Sequence, residues 1–306
     1  MAKNEGAVIS AQKIKSDTTG KVLTVISYIF ITLFALICLL PFVMVISASF
    51  SSEAAILEQG MGILPRGFSV ESYSIIFKNS KFILGSYAVT IIMTLAGTAI
   101  GLLLISMTGY ALQRKDFPLR NAISFFIYFT TLFSAGLAPT YLWMVNTLNL
   151  KNSYLAVFLP LLMSPWLIFL MKNFIKAIPH ELTESGKIDG ANDMRIFLSI
   201  FLPNLKPSLA TVGLFLALGY WNEWYNSMLY IQNLPYQPLQ YYLYKIINQA
   251  QALRNSVAGS QVAIADLPSN TLKMATAVIA TGPVILFYPF VQKYFIAGMT
   301  VGAVKG

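Results

Sequence analysis

The chain alternates long apolar runs with short polar segments, and each run approaches or exceeds the roughly 20 residues that a helix needs to cross a bilayer. The predicted spans are residues 22–47, 82–110, 122–146, 154–174, 207–230 and 274–296. Between them lie polar segments that contain the turn-forming residues. The pattern predicts an all-α membrane protein whose six transmembrane helices form one domain over residues 21–300.

The composition agrees with this pattern. Of 306 residues, 56% are hydrophobic and 11% are charged, whereas a soluble domain carries about 25% charged residues. The first apolar run is too long for the core of a signal peptide, and no small-residue cleavage site directly follows it. We therefore expect a retained first span, preceded by a polar tail over residues 1–20.

The distribution of cationic residues predicts the orientation. If the N-terminus is cytoplasmic, 14 of the 21 Lys and Arg residues fall in inner segments, as the positive-inside rule requires. Both termini and residues 175–206 are then expected in the cytoplasm. The inner cations are Lys3, Lys13, Lys15, Lys21, Arg114, Lys115, Arg120, Lys172, Lys176, Lys187, Arg195, Lys206, Lys293 and Lys305.

The net charge of +9 suggests anionic lipid headgroups, because the cations are spread over short segments beside the spans and not gathered in one patch for nucleic acid. The sequence contains no G-x-x-x-x-G-K-[ST] phosphate loop and no G-x-S-x-G, H-E-x-x-H or C-x-x-C pattern. His180 has no His or Cys companion for a transition-metal site, and Cys38 has no disulfide partner. We expect neither catalysis nor a metal or cofactor of its own in this chain.

The polar segment 175–206 has the signals of two short helices. Pro179 precedes the first helix, about residues 180–188, and Gly190 follows it. Asp189 is the predicted N-cap of the second helix, about residues 191–202, which Pro203 would end. Gly186 inside the first helix costs about 1 kcal/mol relative to alanine. We interpret it, with Ser185, as a small face that another backbone approaches. The alternative is an amphipathic helix on the membrane surface.

The end of the fifth predicted span combines aromatic and polar side chains near the outer interface. An aromatic belt at the headgroup level explains isolated Trp and Tyr residues, but not the amides and the carboxylate among them. Asn222 and Asn226 are spaced i, i+4 and should share a helical face. Glu223 should face protein or water, because a carboxylate is costly in lipid. The candidate substrate path consists of Trp221, Asn222, Glu223, Trp224, Tyr225 and Asn226.

Two further features concern the loops and the prolines. Residues 231–273 form the largest polar external segment, and the mixed, small-residue composition of 250–266 favours a mobile loop over a packed element. Prolines inside the spans should kink or locally open the helices, either for packing or for gating. They are Pro139, Pro160, Pro165, Pro283 and Pro289.

The segment from Glu184 to Pro203 resembles the EAA loop, E-A-A-x-x-D-G-A followed by x5-F-x-x-I-x-L-P, of the permease subunits of ABC importers. Ser185 and Gly186 stand where that pattern has two alanines. The matched positions are Glu184, Asp189, Gly190, Ala191, Phe197, Ile200, Leu202 and Pro203. Residues 133–141 and 219–226, with Pro238-Leu239-Gln240, resemble the carbohydrate branch of these permeases, within it the MalG-type and YtcP/LplC-like members. The resemblance covers the chain from about residue 22 onward.

This resemblance implies a type I ABC importer permease in the bacterial cell membrane. In that family the loop docks as a coupling helix on a cytoplasmic ATPase subunit, and the residue equivalent to Glu184 pairs with a basic residue there. The implied coupling residues are Glu184, Ser185, Gly186, Asp189, Gly190, Ala191, Leu202 and Pro203. The implied partners are a second permease, two copies of the ATPase, which bind ATP and Mg, and an extracytoplasmic solute-binding protein that residues 250–266 would enter.

Three other functions remain open on the sequence. An ABC permease for amino acids, phosphate or metal ions would share the EAA loop, though not obviously the segment 221–226. A self-contained secondary carrier would need intramembrane proton or ion ligands, of which Glu223 is the candidate. A structural membrane scaffold would tolerate changes in the loop without loss of transport.

Overall fold

The computed structural model describes residues 18–78, 80–179, 181–257 and 268–303, which are mostly helical. Within these ranges extended pairing is confined to an isolated bridge between Ser51 and Phe68, so the predicted all-α class is confirmed. The helices are α1 Thr18–Ser49, α2 Glu53–Gln59, α3 Glu71–Phe77, α4 Ser80–Gln113, α5 Arg120–Leu132, α6 Leu137–Leu142, α7 Tyr154–Leu162, α8 Pro165–Lys176, α9 Glu181–Ile188, α10 Asp193–Ile196, α11 Leu202–Asn204, α12 Lys206–Trp221, α13 Tyr225–Tyr230, α14 Leu239–Val257 and α15 Asn270–Ala303. Single π-helical turns follow α6 (Trp143–Thr147) and α10 (Phe197–Phe201).

Among the described residues, three helical segments are long and apolar enough to cross a membrane. These are 20–49, 80–113 and 154–176, in agreement with three of the predicted spans. Two further pairs of helices pass the same test together but are sharply bent, which gives up to five spans. The sixth predicted span falls within α15, of which the part Asn270–Leu286 is apolar.

The third predicted span is not a straight helix. Its two halves, α5 and α6, meet at 116°, because Phe133 is extended and Gly136 has a φ of 84° in the left-handed region. Pro139 lies in the first turn of α6, where its missing N–H has no intrahelical partner to lose. Pro165 likewise occupies the start of α8. Both prolines therefore begin helices, while Pro160, Pro283 and Pro289 lie inside them.

The helix α4 lies at the centre of the fold and packs against α12, α8 and α7. Its approach to α12 is close: a Cβ atom added to Gly97 would lie 2.3 Å from the ring of Tyr220. One buried core surrounds the C-terminal end of α4 at Ile105, and another surrounds its N-terminal end at Ile83. With 34 residues, α4 is about 50 Å long and joins the two cores.

The external segment 231–273 is more ordered than predicted. α14 extends to Val257, so the prediction of a mobile loop is wrong for residues 250–257, while 258–267 lie outside the described residues. Leu239, Leu243 and Ile246, spaced three to four residues apart, pack into the core at the N-terminal end of α4, which explains the helix. The predicted tail is also shorter, because α1 begins at Thr18 and residues 1–17 lie outside the described ranges.

Candidate functional site

We refer to residues 175–206, for which the family resemblance implies a coupling role, as the coupling loop. Its first arm is the helix α9, which ends at Ile188 as predicted; His180, the predicted start, lies outside the described residues. Gly190 terminates it with a φ of 74°. The Gly190 amide donates to the Lys187 carbonyl at 3.0 Å, and the Ala191 amide donates to the Gly186 carbonyl at 2.9 Å. These two bonds form a Schellman motif, which satisfies the last carbonyls of the helix and reverses the chain.

The second arm extends from Asp193 to Asn204 through the π-helical turn. Its N-cap is Asn192, whose Oδ1 accepts from the Arg195 amide at 2.9 Å, so the prediction of Asp189 as the cap is wrong. The Schellman turn takes up Asp189 and moves the N-cap three residues along the chain, from position 189 to Asn192. Pro203 does not end this arm either: it lies in the last turn, one residue before Asn204, and an 85° bend to α12 follows.

Gly186 is buried between the two arms. A Cβ atom there would lie 3.1 Å from Cγ1 of Ile196 and 3.1 Å from Cδ1 of Ile200. On the sequence, this small residue was attributed to the approach of another backbone. The structure corrects that interpretation, because the neighbouring atoms are side chains of this chain's own second arm. Gly186 therefore sets how closely the arms pack.

The coupling loop exposes both polar and large apolar side chains. Glu184, Ser185, Asp189 and Gly190 are exposed, whereas Ala191 and Leu202 are half-buried and Pro203 is exposed. Ile188 at the tip is 85% exposed. Three more large apolar residues of the two arms are exposed, namely Leu182, Met194 and Leu198. A short polar loop that exposes these side chains has the composition of a surface that binds another protein.

An aromatic contact attaches the second arm to the end of α4. The ring of Tyr110 lies 5.4 Å from that of Phe197 and 4.8 Å, edge-on, from that of Phe201. All three side chains belong to the core at this end of α4, together with Met171 and Ile175 of α8. The second arm is thus built on the ends of two long apolar segments.

Charged groups connect the same end of α4 to both arms. The Arg114 guanidinium pairs with the carboxylates of Asp116 and Asp193, and Lys187 Nζ donates to Asp116 Oδ2 at 2.8 Å. Hydrogen bonds from Arg114 and then from Lys187 hold the pKa of Asp116 well below its usual range. The hydrogen bond to Asp116 likewise raises the pKa of Arg114 above its ordinary value. We refer to Arg114, Asp116, Lys187 and Asp193 as the cross-brace.

The cross-brace was not predicted from the sequence, where Arg114 and Lys187 were interpreted as cations near the membrane. The sequence signal for it was weak. Asp116 follows Arg114 by two positions, and Asp193 follows Lys187 by six. The pairing between Lys187 and Asp116 joins residues 71 positions apart and depends on the fold.

The six predicted substrate-path residues surround a break in the helix. α12 ends at Trp221 and α13 begins at Tyr225, so Asn222 and Asn226 do not share the face of one continuous helix, and that prediction is wrong. The Glu223 side chain is buried. Its Oε1 accepts from the Asn226 amide at 2.6 Å and its Oε2 from Asn226 Nδ2 at 3.1 Å. These bonds hold the start of α13 and explain a carboxylate in this position.

Trp221 is also directed inward. Its indole Nε1 donates to the Ala280 carbonyl of α15 at 2.9 Å, and its ring lies 6.4 Å from that of Tyr87 on α4. Asn222, Trp224 and Tyr225 are exposed, in contrast. The structure therefore separates buried Trp221 and Glu223, which shape the break with half-buried Asn226, from exposed residues that another molecule can contact.

The exposed part continues onto α14, which the sequence-based prediction did not include. The rings of Trp224 and Tyr244 lie 4.9 Å apart, and Gln240 Nε2 is 3.5 Å from Asn222 Oδ1. Gln240 and Tyr244 are spaced i, i+4 and so share a face of α14. This spacing was the signal that could have found them. We refer to Asn222, Trp224, Tyr225, Gln240 and Tyr244 as the aromatic–amide surface.

The part of the chain that the structure describes holds no group of three or more His, Cys, Asp or Glu side chains arranged to bind a metal ion. The two candidate regions lie at opposite ends of α4, one beside Tyr87 and the other beside Tyr110. At about 1.5 Å per residue, α4 separates them by roughly 35 Å. One helix thus contacts both regions.

Comparison with known proteins identifies the family. Residues 101–301 match the sequence profile of the binding-protein-dependent transport system inner membrane component. The chain is 40% identical over 281 residues to the polygalacturonan/rhamnogalacturonan transport system permease protein YtcP of Bacillus subtilis (strain 168), which covers 91% of this chain and 96% of that protein. It is 37% identical to protein LplC of the same organism, over 94% of this chain and 96% of that protein.

A solved structure supports the same assignment at the level of the fold. The chain is similar to a chain of a bacterial ABC transporter involved in the import of the acidic polysaccharide alginate, with a TM-score of 0.73 and 29% identity. The similarity covers 91% of this chain and 98% of the other. The fold is thus that of a type I ABC importer permease. Both comparisons agree on the family, and the chain belongs to the family of binding-protein-dependent transport system inner membrane components.

Proposed function

We propose that this chain is the membrane-spanning permease subunit of an ATP-driven carbohydrate importer, with an oligosaccharide as the cargo. It forms the translocation path with a second permease. The observation that carries this proposal is the arrangement of two exposed regions at opposite ends of α4, in a chain whose family is established. The names of similar proteins support the cargo class: besides YtcP, the chain is 27% identical to the arabinooligosaccharides transport system permease protein AraQ of Halalkalibacterium halodurans.

The coupling loop transmits the movement of a partner ATPase. Exposed Ile188, with Leu182 and Met194, supplies apolar contacts to a groove of that subunit, and exposed Glu184 pairs with a basic residue there. Two ATPase copies bind ATP and Mg, and this chain itself performs no hydrolysis. When ATP brings the two copies together, the loop moves with its ATPase and displaces the ends of α4 and α8 that it contacts.

The orientation follows from the charges. The loop, both termini and the α4–α5 connection lie in the cytoplasm, where the excess of Lys and Arg is expected. The aromatic–amide surface and α14 then lie at the outer side, where an extracytoplasmic solute-binding protein delivers the sugar. The predicted entry segment, residues 250–266, begins in the C-terminal part of α14.

The aromatic–amide surface suits a sugar. The exposed rings of Trp224, Tyr225 and Tyr244 offer flat faces for the C–H groups of a pyranose, and the amides of Asn222 and Gln240 bond its hydroxyls. Buried Glu223 and Trp221 hold the helix break that presents these groups. Lys245 of α14 lies 5.8 Å from the centre of the Tyr241 ring and adds a cation on the same helix. Uptake assays should therefore compare neutral oligosaccharides with uronate-containing ones.

The coupling role is tested by Glu184→Ala in the assembled transporter, with Glu181→Ala on the same helix as the matched control. We expect Glu184→Ala to lower sugar uptake while the amount of protein in the membrane is unchanged, and Glu181→Ala to have a smaller effect. Normal uptake by Glu184→Ala would remove the basis of the proposal. Faster uptake of labelled amino acids than of oligosaccharides would favour the alternative that the chain is an ABC permease for amino acids.

The substrate side is tested by a contrast between two tryptophans. Trp224→Ala removes an exposed ring and should lower uptake with little change in melting temperature. Trp221→Ala removes a buried indole and its hydrogen bond, and should lower the melting temperature, since a buried Trp→Ala substitution costs about 3–5 kcal/mol. If Trp224→Ala transports sugar with unchanged kinetics, the surface is only an interfacial belt.

A further inference from the structure

We infer that the four residues of the cross-brace are positioning residues, which fix the coupling loop to the end of α4 so that movement of the loop reaches the translocation path through that helix. This inference rests on the proposed function, because it assumes that the loop is moved by a partner. It names residues outside the matched EAA positions: Arg114 and Asp116 lie in the α4–α5 connection, and Lys187 and Asp193 lie in unmatched positions of the loop.

The pairs of the cross-brace lie on both sides of Gly190, the hinge at which the two arms of the loop meet. Lys187 lies three residues before Gly190, and Asp193 lies three residues after it. Both side chains pair with the same short segment, Arg114 to Asp116. A hinge with both arms tied to one place cannot open or close without breaking a pair. The angle between the arms and the position of α4 are therefore linked.

The helices α9 and α4 are not closely packed against each other. An open cavity of about 580 Å³ separates them, lined by Thr183 and Lys187 of α9, by Tyr110 and Arg114 at the end of α4, and by residues 175–179 at the end of α8. The second arm packs on Tyr110 through aromatic rings, but α9 meets the α4–α5 connection across this space. Because the cavity leaves room for α9 to tilt, the pair between Lys187 and Asp116 determines how far it does so.

The members of the network differ in exposure. The Arg114 side chain is 14% exposed, and its guanidinium also lies over the Tyr110 ring at 5.8 Å. Lys187 and Asp116 are 47% and 50% exposed. Exposed ion pairs are weak, so they can separate and form again at little cost. Arg114 is the most buried member of the network, and the exposed Lys187–Asp116 pair is its weaker link.

The test is a charge swap in the complete transporter, reconstituted with its partner subunits. Asp116→Lys and Lys187→Asp each place like charges at the pair, and each should lower the sugar imported per ATP hydrolysed by about fivefold. The double variant restores opposite charges between positions 116 and 187 but places a cation beside Arg114, so it should recover only part of this ratio. Lys115→Asp, in the exposed neighbouring position, is the matched control and should keep the ratio of the wild type.

The remaining measurements separate positioning from docking and folding. The ATPase should still co-purify with each single variant; its loss would assign these residues to docking and overturn the inference. Singles that are impaired but not rescued by the double variant would overturn it as well. Should a reversal reduce the protein in the membrane, Asp116→Asn removes the charge alone and must still lower the ratio.

A comparison with Glu184→Ala distinguishes the two proposals. If Glu184→Ala is impaired while both single reversals transport normally, the cross-brace inference fails and the coupling role of the loop stands. If all three variants import sugar normally, the coupling role proposed for the loop fails together with the cross-brace inference.

Discussion

Gly186 of the first arm lies against Ile196 of the second, so close that a Cβ atom at Gly186 would be 3.1 Å from Ile196 Cγ1. This contact defines the shape of the coupling loop from within. It also explains why a residue that weakens a helix by about 1 kcal/mol occurs in the middle of α9. Two substitutions at Gly186 should therefore behave differently.

We expect Gly186→Ala to be nearly neutral and Gly186→Leu to be harmful. Alanine gains about 1 kcal/mol of helix propensity, which offsets the small shift required of two flexible isoleucine side chains. Leucine has no room between the arms and should cost about 1–3 kcal/mol. The melting temperature and sugar uptake of both variants test this, with Ser185→Leu on the exposed side of α9 as the control. Equal melting temperatures for the two Gly186 variants would contradict the packing described.

A second prediction concerns the hinge. Gly190 has a φ of 74°, and a Cβ atom there would have no neighbour within 4 Å, so substitutions act through the backbone and not through crowding. Gly190→Ala should cost about 1–2 kcal/mol, as an L-residue does in the left-handed region. Gly190→Asn should cost less, since asparagine tolerates this conformation. Thermal unfolding of the two variants measures this difference. If Gly190→Asn is no more stable than Gly190→Ala, the result would count against the Schellman turn.

A third prediction concerns the start of the last helix. The buried Glu53 carboxylate accepts from the Asn270 and Thr271 amides at 3.0 Å and 2.9 Å, and also from Asn270 Nδ2 and Thr271 Oγ1. Glu53→Gln turns an amide donor toward these donors and should cost about 1–3 kcal/mol. Its melting temperature should fall, whereas exposed Glu58→Gln should leave it unchanged. An equal fall in melting temperature for both variants would show that the hydrogen bonds of Glu53 to Asn270 and Thr271 are not the cause.

The fourth prediction is the pH dependence of the cross-brace. The pKa of Asp116 is depressed by Arg114 and Lys187, so the pairing stabilises the fold above the ordinary aspartate pKa of about 4 and is lost as the pH falls through the depressed value. The difference in unfolding free energy between the wild type and Asp116→Asn should be small, about 1 kcal/mol or less, and constant from pH 5 to 8. It should shrink only at more acidic pH. Melting temperatures across this range measure it, with Asp189→Asn as the control, and a change between pH 5 and 7 would contradict the assignment.

The coupling half of the candidate site could be predicted from the sequence because its signals are local. A proline before α9 and a glycine after it mark a short helix whatever surrounds them, and Ile188 was correctly predicted as the last helical residue. The cap at Asn192 was missed by three positions, since the extra length of the Schellman turn depends on which carbonyls the turn satisfies.

The substrate half was predicted less well. Asn222 and Asn226 were assigned to one face because a continuous helix was assumed, and the break after Trp221 removes that relation. Whether Glu223 and Trp221 face a cavity or the protein interior depends on Asn226 and Ala280, which composition does not reveal. The C-terminal part of α14 was predicted as a mobile loop because the composition of residues 250–266 is mixed and rich in small residues.

The sequence by itself determined that the chain is helical and lies in a membrane, because a bilayer core contains no water to satisfy backbone groups and long apolar runs must form internal hydrogen bonds. It also determined where the coupling loop lies and where its first helix stops. Only the tertiary structure decided that Gly186 packs against Ile196, that Lys187 reaches Asp116, and that Trp224 meets Tyr244. These contacts join residues on different helices and connections, so the folded chain decides them and local sequence signals do not.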